Sequence, residues 1–259
     1  MDLEQNIIEI QFATDEGLGE RAKIGLIVLS SDQTLEYEFR TLLNLEGVAF
    51  YHARIPNEME ITKDSLAKME SELSPAAALL PAAFNFKAIG YGCTSGATII
   101  GEENVAKAIQ LVHPDTLISN PLTACKAAFQ ALGLKRIAFL TPYDPAITSA
   151  MRDNLLENGF EIPVTGSFFE SDDFKVGRIS PDSILEAIEK IGTRDDCDGV
   201  FVSCTNLRVA EIIETAEERL GKAVTSSNHA LAWHLLRLAG INDCPENCGS
   251  LFRKQLKEY

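Results

Sequence analysis

The sequence predicts an α/β protein built as two pseudo-symmetric, Rossmann-like lobes, each a four-stranded parallel sheet flanked by helices. Short β-branched runs alternate with helical patterns along almost the whole chain, which is typical of βα units. The chain also repeats itself, because KIGLIVLSSD from Lys23 resembles RIAFLTPYDP from Arg136. At almost the same spacing, KAIGYGCTSG resembles DGVFVSCTNL, with Cys93 over Cys204. The repeat indicates a duplicated unit with an active site in the cleft between its copies.

The strands follow from the β-branched runs that are bounded by turn residues. They are predicted at residues 23–29, 47–52, 87–91, 116–119, 136–140, 161–169, 198–203 and 222–225. Four strands fall in each copy of the repeat. We therefore expect a first lobe made of residues 1–119 with 226–259, and a second lobe made of residues 120–225.

Two of the helices matter for the position of the cleft. Apolar residues recur at helical spacing over residues 206–220, which predicts a helix directly after the Cys204 motif. The last helix, residues 228–238, carries an apolar stripe formed by Leu231, Leu235 and Leu238. We expect this stripe to return and pack on the first lobe.

Charge and composition limit the partners and the location of the chain. Its 259 residues contain 23 Lys plus Arg against 38 Asp plus Glu, and a net charge of −15 repels nucleic acid. The acidic opening residues lack a basic flank before an apolar core, so no secretory signal is expected. The longest apolar stretch, residues 76–84, is about half a membrane span. We expect a cytoplasmic protein with reduced thiols and no membrane partner.

Two of the six cysteines stand out as candidate catalytic groups. Cys93 and Cys204 each follow a predicted strand and precede a predicted helix, where backbone N–H groups and the helix dipole stabilise a thiolate. Such a position lowers a thiol pKa from about 8.5 to roughly 3.5–7.5. Buried structural cysteines are commoner than catalytic ones, but the matched positions in the two copies favour a functional pair.

Two thiols on opposite sides of one carbon atom can move a proton from one face to the other, as in a racemase or isomerase. Such a reaction passes through a carbanion stabilised by a carboxylate, and it needs hydrogen-bond donors for the carboxylate oxygens. Thr94, Ser95, Thr205 and Tyr143 are the candidate donors. Tyr143 fits equally well as an aromatic residue that covers the core at a turn.

No metal or other cofactor is expected. Cys244 and Cys248 lack the spacing and the further ligands of a zinc site, and the histidines show neither metal nor triad spacing. GYGCTSG from Gly90 nearly matches a dinucleotide fingerprint, but its third glycine is one position late. Thiols and hydrogen-bond donors suffice for the proposed chemistry.

Seven ordered motifs resemble the aspartate/glutamate racemase superfamily, in its maleate cis-trans isomerase and arylmalonate decarboxylase branch. They are GLIVLSSDQTLEYEF from Gly25, GYGCTSGATIIG from Gly90, SNPLTA from Ser119, LTPYDPAIT from Leu140, DDFKVGRIS from Asp172, VSCTNLR from Val202 and TSSNHALAWHLLRLAG from Thr225. The resemblance implies that Cys93 is the nucleophile and Cys204 the acid/base, and it places Ser31 and Asn206 among the substrate-binding residues. Dimers are common in this branch, and the chain most resembles racemase-like proteins encoded with ectoine-utilisation enzymes.

The chain departs from the isomerase pattern at Asp32 and Asp173, where isomerases carry substrate-binding asparagines. An ionised Asp accepts hydrogen bonds but repels a dicarboxylate, whereas an amide can donate to it. The departures favour a small carboxylate that also carries a cationic or N–H-rich group, such as an ectoine derivative or an amino acid. Alternatively, both aspartates cap helices.

Two other functions stay open at this stage. Decarboxylases of the branch keep only the second cysteine, so Cys204 alone could decarboxylate an arylmalonate-type substrate while Cys93 is idle. A non-catalytic protein could close the same cleft on a metabolite. The paired cysteines favour an isomerase or racemase over both alternatives.

Overall fold

The structure is a computed structural model and describes residues 7–257. Its strands are β1 (Ala22–Leu29), β2 (Val48–Ile55), β3 (Ala88–Gly92), β4 (Leu117–Ser119), β5 (Arg136–Thr141), β6 (Glu161–Ser167), β7 (Gly199–Val202) and β8 (Ala223–Ser226). They form a first sheet in the order β2-β1-β3-β4 and a second sheet in the order β6-β5-β7-β8, with parallel pairing throughout. The predicted strands are present in the described part of the chain, and the fold class is confirmed.

Helices cover both sheets. They are α1 (Leu35–Leu42), α2 (Lys63–Lys68), α3 (Glu70–Ala77), α4 (Thr94–Ile100), α5 (Glu102–Gln110), α6 (Pro121–Leu132), α7 (Pro145–Glu157), α8 (Asp173–Val176), α9 (Pro181–Gly192), α10 (Ile213–Leu220) and α11 (Ser227–Leu238), with short 3-10 helices at Ala82–Phe84, Ala210–Ile212 and Leu251–Arg253. In α6, α7 and α9, a proline in the first turn follows a capping side chain, supplied by Asn120, Asp144 and Ser180 respectively. Within residues 7–257, none of these helices is long and apolar enough to cross a membrane.

The hydrophobic core lies on both faces of each sheet, because helices cover the two faces. The central strands β3 and β7 are buried along their whole length. In the second sheet, the Phe201 ring stacks on Phe139 at a centroid distance of 6.0 Å and meets the edge of Phe129 at 5.4 Å. This burial fixes the two strands whose carboxyl ends carry Cys93 and Cys204.

The predicted helix over residues 206–220 is wrong in its first half, since α10 begins only at Ile213. A turn and a 3-10 helix precede it. The N–H groups of Val209 and Ala210 donate to the buried Glu38 carboxylate of α1, at 2.6 and 2.8 Å. These contacts with a distant helix replace the hydrogen bonds that would have extended α10 towards its amino end.

The last helix, α11, packs on the first sheet as its apolar stripe predicts. Leu231 and Leu235 lie directly over Gly90 of β3, where a larger side chain has no room: a Cβ atom would be 2.7 Å from Leu235 Cδ1. Arg237 of α11 donates to the Phe252 carbonyl at 2.6 Å and so holds the C-terminal segment. Since α11 also contacts α6, the exact division of the chain into lobes stays a prediction.

Gly90→Ala should destabilise the protein by about 1–3 kcal/mol, because its methyl group would overpack the contact between β3 and α11. Urea unfolding of both proteins measures the loss of free energy. Gly166→Ala on the edge strand β6 is the matched control, since its nearest contact would be 3.2 Å from Leu140 Cδ1. A loss at Gly90 no larger than the loss at Gly166 would contradict the close approach of α11.

Candidate active site

Both cysteines of the repeat lie at the carboxyl ends of the central strands. Cys93 follows β3 directly, and Cys204 lies just beyond the end of β7. Each thiol is free and buried, and both line one cavity between the two sheets. Parallel sheets bind ligands at the carboxyl ends of their strands. This cavity is therefore the candidate active site.

The Cys93 turn holds its sulfur by short local contacts. Cys93 caps helix α4, and the Gly96 N–H donates to its Sγ atom at 3.2 Å. The Ser95 Oγ atom lies 3.6 Å from the same sulfur. A Cβ atom on Gly96 would lie 2.5 Å from the Tyr91 hydroxyl and 2.9 Å from the sulfur. Glycine is thus required at position 96 to bring the helix N-terminus this close to the thiol.

The Cys204 turn is held differently, although the sequence predicts the same local setting. The Asn206 N–H donates to Cys204 Sγ at 3.4 Å, but no α-helix begins at this point of the described chain. The Asn228 side chain of α11 instead donates to the Thr205 carbonyl at 2.7 Å. The second thiol is therefore positioned by contacts with distant parts of the chain.

Tyr143 lies in the cavity wall near both thiols. Its backbone is fixed at the end of β5, where its N–H donates to Thr141 Oγ1 at 2.9 Å. Burial raises the pKa of Tyr143 well above its ordinary value, and the negative charge that Cys204 or Cys93 would carry as a thiolate raises it further. The hydroxyl thus stays protonated and can donate a hydrogen bond inside the cavity.

The segment from Asn57 to Met69 forms a wall that sequence reasoning missed. It contributes Leu66 and Met69 to the cavity together with several polar residues, and these are Asn57, Glu58, Glu60 and Ser65. An isolated antiparallel bridge joins Glu60 to Asp172 across the cleft. The bridge includes hydrogen bonds from the Ile61 N–H to the Ser171 carbonyl at 3.2 Å and from the Asp173 N–H to the Met59 carbonyl at 3.3 Å.

The cavity is narrow and partly enclosed by this bridge. Its empty space is about 380 Å³ when counted out to the mouth, but it is so constricted that its interior holds little more than one water molecule. A larger ligand therefore has to displace part of the wall. In residues 7–257, no group of three or more His, Cys, Asp or Glu side chains could hold a metal ion.

The predicted site residues divide into two groups. Those that line the cavity are Cys93, Cys204, Ser95, Tyr143, Asp173 and Thr205. The others lie behind its wall, where they bond to the protein. Thr94 Oγ1 lies 2.7 Å from Ser227 Oγ, the Asn206 amide donates to the Asp173 carbonyl at 2.9 Å, and the Ser31 hydroxyl donates to the Asp173 carboxylate. These contacts give Thr94, Asn206 and Ser31 structural partners in the described chain.

The two aspartates that the sequence analysis singled out, Asp32 and Asp173, have different surroundings. Asp32 Oδ1 accepts from the N–H groups of Thr34 and Leu35, both at 2.8 Å, so this carboxylate holds the turn that leads into α1, whose N-cap residue is Thr34. Its Oδ2 atom is buried, and no residue from 7 to 257 bonds to it. Asp173 does not cap a helix, because Asp172 caps α8 instead. Asp173 faces the cavity, and its contact with a ligand stays a prediction.

Burial reverses the expected ionisation of both thiols. It raises the pKa of Cys93 to about 11, although the Ser95 hydroxyl and the Gly96 N–H partly stabilise the thiolate. Burial also raises the pKa of Cys204, and the negative charge of Asp173 adds to that effect. The prediction of lowered thiol pKa values is therefore wrong, because removal from water outweighs the donors at the turns.

A buried carboxylate that the sequence analysis did not single out, Glu38, joins three parts of the fold. Its Oε1 atom accepts from Val209 and Ala210 beyond the Cys204 turn, and its Oε2 atom accepts from the Asn228 amide at 2.8 Å. Asn228 also bonds to the Thr205 carbonyl. Burial raises the pKa of Glu38 from 4.5 to about 7, against the stabilising effect of these donors. Nothing in the EYEF sequence distinguishes this glutamate from its exposed neighbours.

The fold and the site define a two-sheet α/β protein with one cysteine from each sheet in a shared cavity. A model of the arylmalonate decarboxylase family matches residues 70–252, which is most of the chain. The chain therefore belongs to the arylmalonate decarboxylase family.

Curated relatives and solved structures agree with this assignment. A maleate isomerase of Geobacillus stearothermophilus is 24% identical over 247 residues, covering 90% of this chain and 98% of that protein. The maleate isomerase Iso of Pseudomonas putida S16 is 25% identical in a structural match with a TM-score of 0.83, covering 89% of this chain and 98% of that chain. A cysteine-to-serine mutant of the maleate cis-trans isomerase of Nocardia farcinica, with a covalently bound succinylcysteine intermediate, has a TM-score of 0.82 at 23% identity. The match covers 90% of this chain and 98% of that chain.

Glu38→Gln should remove a pH dependence of stability. Because the pKa of Glu38 is raised in the folded protein, the native state holds a proton that the unfolded state releases between pH 4.5 and about 7. The free energy of unfolding of the native protein should therefore fall across this window, by about 3 kcal/mol from this group, and the variant should lack that fall. Urea unfolding at pH 5 and pH 8 tests the difference. Glu36→Gln on the same helix is the control, and equal pH dependence in all three proteins would contradict the assignment.

Cys93 should react slowly with iodoacetamide at neutral pH. Because the thiolate is the reactive form and burial raises the pKa of Cys93 to about 11, the rate should rise about tenfold for each pH unit from 7 to 10. Mass spectrometry of the Cys93 peptide measures the rate, and the exposed Cys244 in the same protein is the internal control. A plateau below pH 9 would contradict the raised pKa.

Proposed function

We propose that the chain is a cofactor-independent isomerase or racemase that acts on a small carboxylate through Cys93 and Cys204. The observation that carries the proposal is that both thiols line one enclosed cavity, together with the hydroxyl of Tyr143 and the carboxylate of Asp173. Each sulfur comes from a different sheet, so the two can act on opposite faces of one bound molecule. A structural pair of cysteines has no need for a shared cavity.

For an alkene substrate, the Cys93 thiolate adds to one carbon and forms a C–S bond. The π electron pair moves to the neighbouring carbon, which takes a proton from the Cys204 thiol. The former double bond is now single and can rotate. The Cys204 thiolate then removes the proton again, the electron pair of the C–S bond returns to sulfur, and the isomerised alkene leaves behind the Cys93 thiolate and the Cys204 thiol.

For a carbon that bears a hydrogen beside the carboxylate, one thiolate removes that proton and the other thiol supplies a proton on the opposite face. The negative charge of the intermediate spreads onto the carboxylate. Ser95 and Tyr143 line the cavity and carry hydroxyl groups that can donate to the carboxylate oxygens. Thr205 also lines it, and its hydroxyl can join them by exchanging its 3.4 Å hydrogen bond to the Gly92 carbonyl. Exclusion of water from the narrow cavity strengthens these hydrogen bonds.

The comparisons support the covalent form of the mechanism. A cysteine-to-serine mutant of the Nocardia farcinica isomerase carries a succinylcysteine intermediate, in which a succinyl carbon is bonded to a cysteine sulfur. Maleate isomerases also match this chain over about nine tenths of its length. The chain's two cavity cysteines supply both groups that this chemistry requires.

Three finer features belong to the same proposal. The resemblance to racemase-like proteins encoded with ectoine-utilisation enzymes supports an ectoine derivative or an amino acid as substrate, and a part in ectoine degradation. The six free cysteines support a reducing, cytoplasmic location. The branch in which the sequence motifs fall supports a homodimer.

The decisive measurement is deuterium exchange in D₂O, followed by NMR, on a panel of amino acids, hydantoins, ectoine derivatives and maleate. Cys93→Ala and Cys204→Ala should each lower the exchange or isomerisation rate of the active compound at least 100-fold. Cys244→Ala removes an exposed cysteine outside the cavity and is the matched control. Thermal unfolding verifies that all variants are folded.

Other outcomes identify the alternative functions. Release of CO₂ that depends on Cys204 but not on Cys93 would indicate the arylmalonate-type decarboxylase, which the family match makes the second candidate. Binding of a panel compound without any turnover would indicate a metabolite-binding protein. Either result would overturn the two-cysteine isomerase.

A further inference from the structure

The charge of the cavity wall restricts what can bind there. Asp173 lines the cavity and is only 5% exposed to solvent. Its Oδ2 atom accepts from Ser31, while its Oδ1 atom has no hydrogen bond to any residue in the described chain. The nearest lysine in sequence, Lys175, pairs with Glu170 and Asp172 instead. The carboxylate thus lacks a cationic partner within residues 7–257.

The rest of the wall adds no positive charge. Among the described residues, no Lys, Arg or His lines the cavity, whereas Glu58 and Glu60 do. Glu58 is paired with Lys68 at 2.7 Å outside the cavity. The cavity therefore offers an acceptor surface around Asp173, and hydroxyl donors on Ser95 and Tyr143.

We infer that the substrate carries a protonated nitrogen, an ammonium or amidinium group, that binds the Asp173 carboxylate while its own carboxylate binds the hydroxyl donors. This inference rests on the proposed function and names its substrate class. A second carboxylate in the place of the nitrogen would meet the Asp173 charge at hydrogen-bond distance in a cavity nearly free of water, where like charges repel strongly. A neutral group that carries no hydrogen-bond donor would leave Asp173 Oδ1 unpaired.

A cation beside Asp173 would also act on the thiols. The charge of Asp173 raises the pKa of both Cys93 and Cys204, in addition to the larger effect of burial. A positive nitrogen beside Asp173 offsets that charge and favours the thiolates. Binding of the right substrate would thus activate the groups that react with it, whereas a dicarboxylate would oppose their ionisation.

The test compares three probes of similar size by isothermal titration calorimetry: 2-aminobutyrate, 2-hydroxybutyrate and succinate. The native protein should bind 2-aminobutyrate at least tenfold more tightly than either of the others. Asp173→Asn should lose this preference and bind succinate more tightly than the native protein does. Asp172→Asn is the control, because Asp172 caps α8 and asparagine is an equally good cap.

The comparison of the three probes in the native protein tests the inference even if the Asp173→Asn variant does not fold. Tightest binding of succinate, equal binding of the three probes, or no binding of 2-aminobutyrate would each overturn the inference. An unchanged preference in Asp173→Asn would also overturn it. Because binding needs no turnover, the result is separate from the exchange assay: a confirmed preference without exchange of any compound would contradict the proposed function and leave the cation site in place.

Discussion

The geometry of this site depends on one buried carboxylate. Glu38 of α1 accepts hydrogen bonds from Val209, Ala210 and Asn228, and Asn228 in turn holds the Thr205 carbonyl next to Cys204. The Cys93 turn is set by its own helix, but the Cys204 turn is set by this network from the opposite side of the molecule. Burying an ionised carboxylate away from water costs free energy, and the three hydrogen-bond donors offset part of that cost for Glu38. The distance between the two thiols is therefore a property of the whole fold.

The sequence predicted the strands, the repeat and the cavity cysteines because these are local or periodic signals. A short apolar run that ends at a cysteine predicts a buried strand with the cysteine at its end, and this prediction needs no knowledge of tertiary contacts. The cavity wall from Asn57 to Met69 and the role of Glu38 could not be predicted, because both depend on contacts across the cleft. The late start of α10 also depends on contacts between distant parts of the chain, because the N–H groups of Val209 and Ala210, which precede the helix, donate to Glu38.

Asp32 and Asp173 illustrate the limit of reading function from residue type. The resemblance implies asparagines at both positions, yet Asp32 holds the turn before α1 and Asp173 faces the cavity. A similar limit applies to Cys93. Its position at a helix N-terminus was read correctly from the sequence, but its burial was not, and burial decides the direction in which its pKa moves.

The bridge between Glu60 and Asp172 has a kinetic consequence. It ties the loop after β2 to the loop after β6, and Glu60 of the bridge lines the narrow cavity, so a ligand larger than water has to move part of this wall. Substrate entry and product release then require the same movement of the backbone. In an enzyme of this design, opening of the wall belongs to every catalytic cycle, as lid opening does in many enzymes.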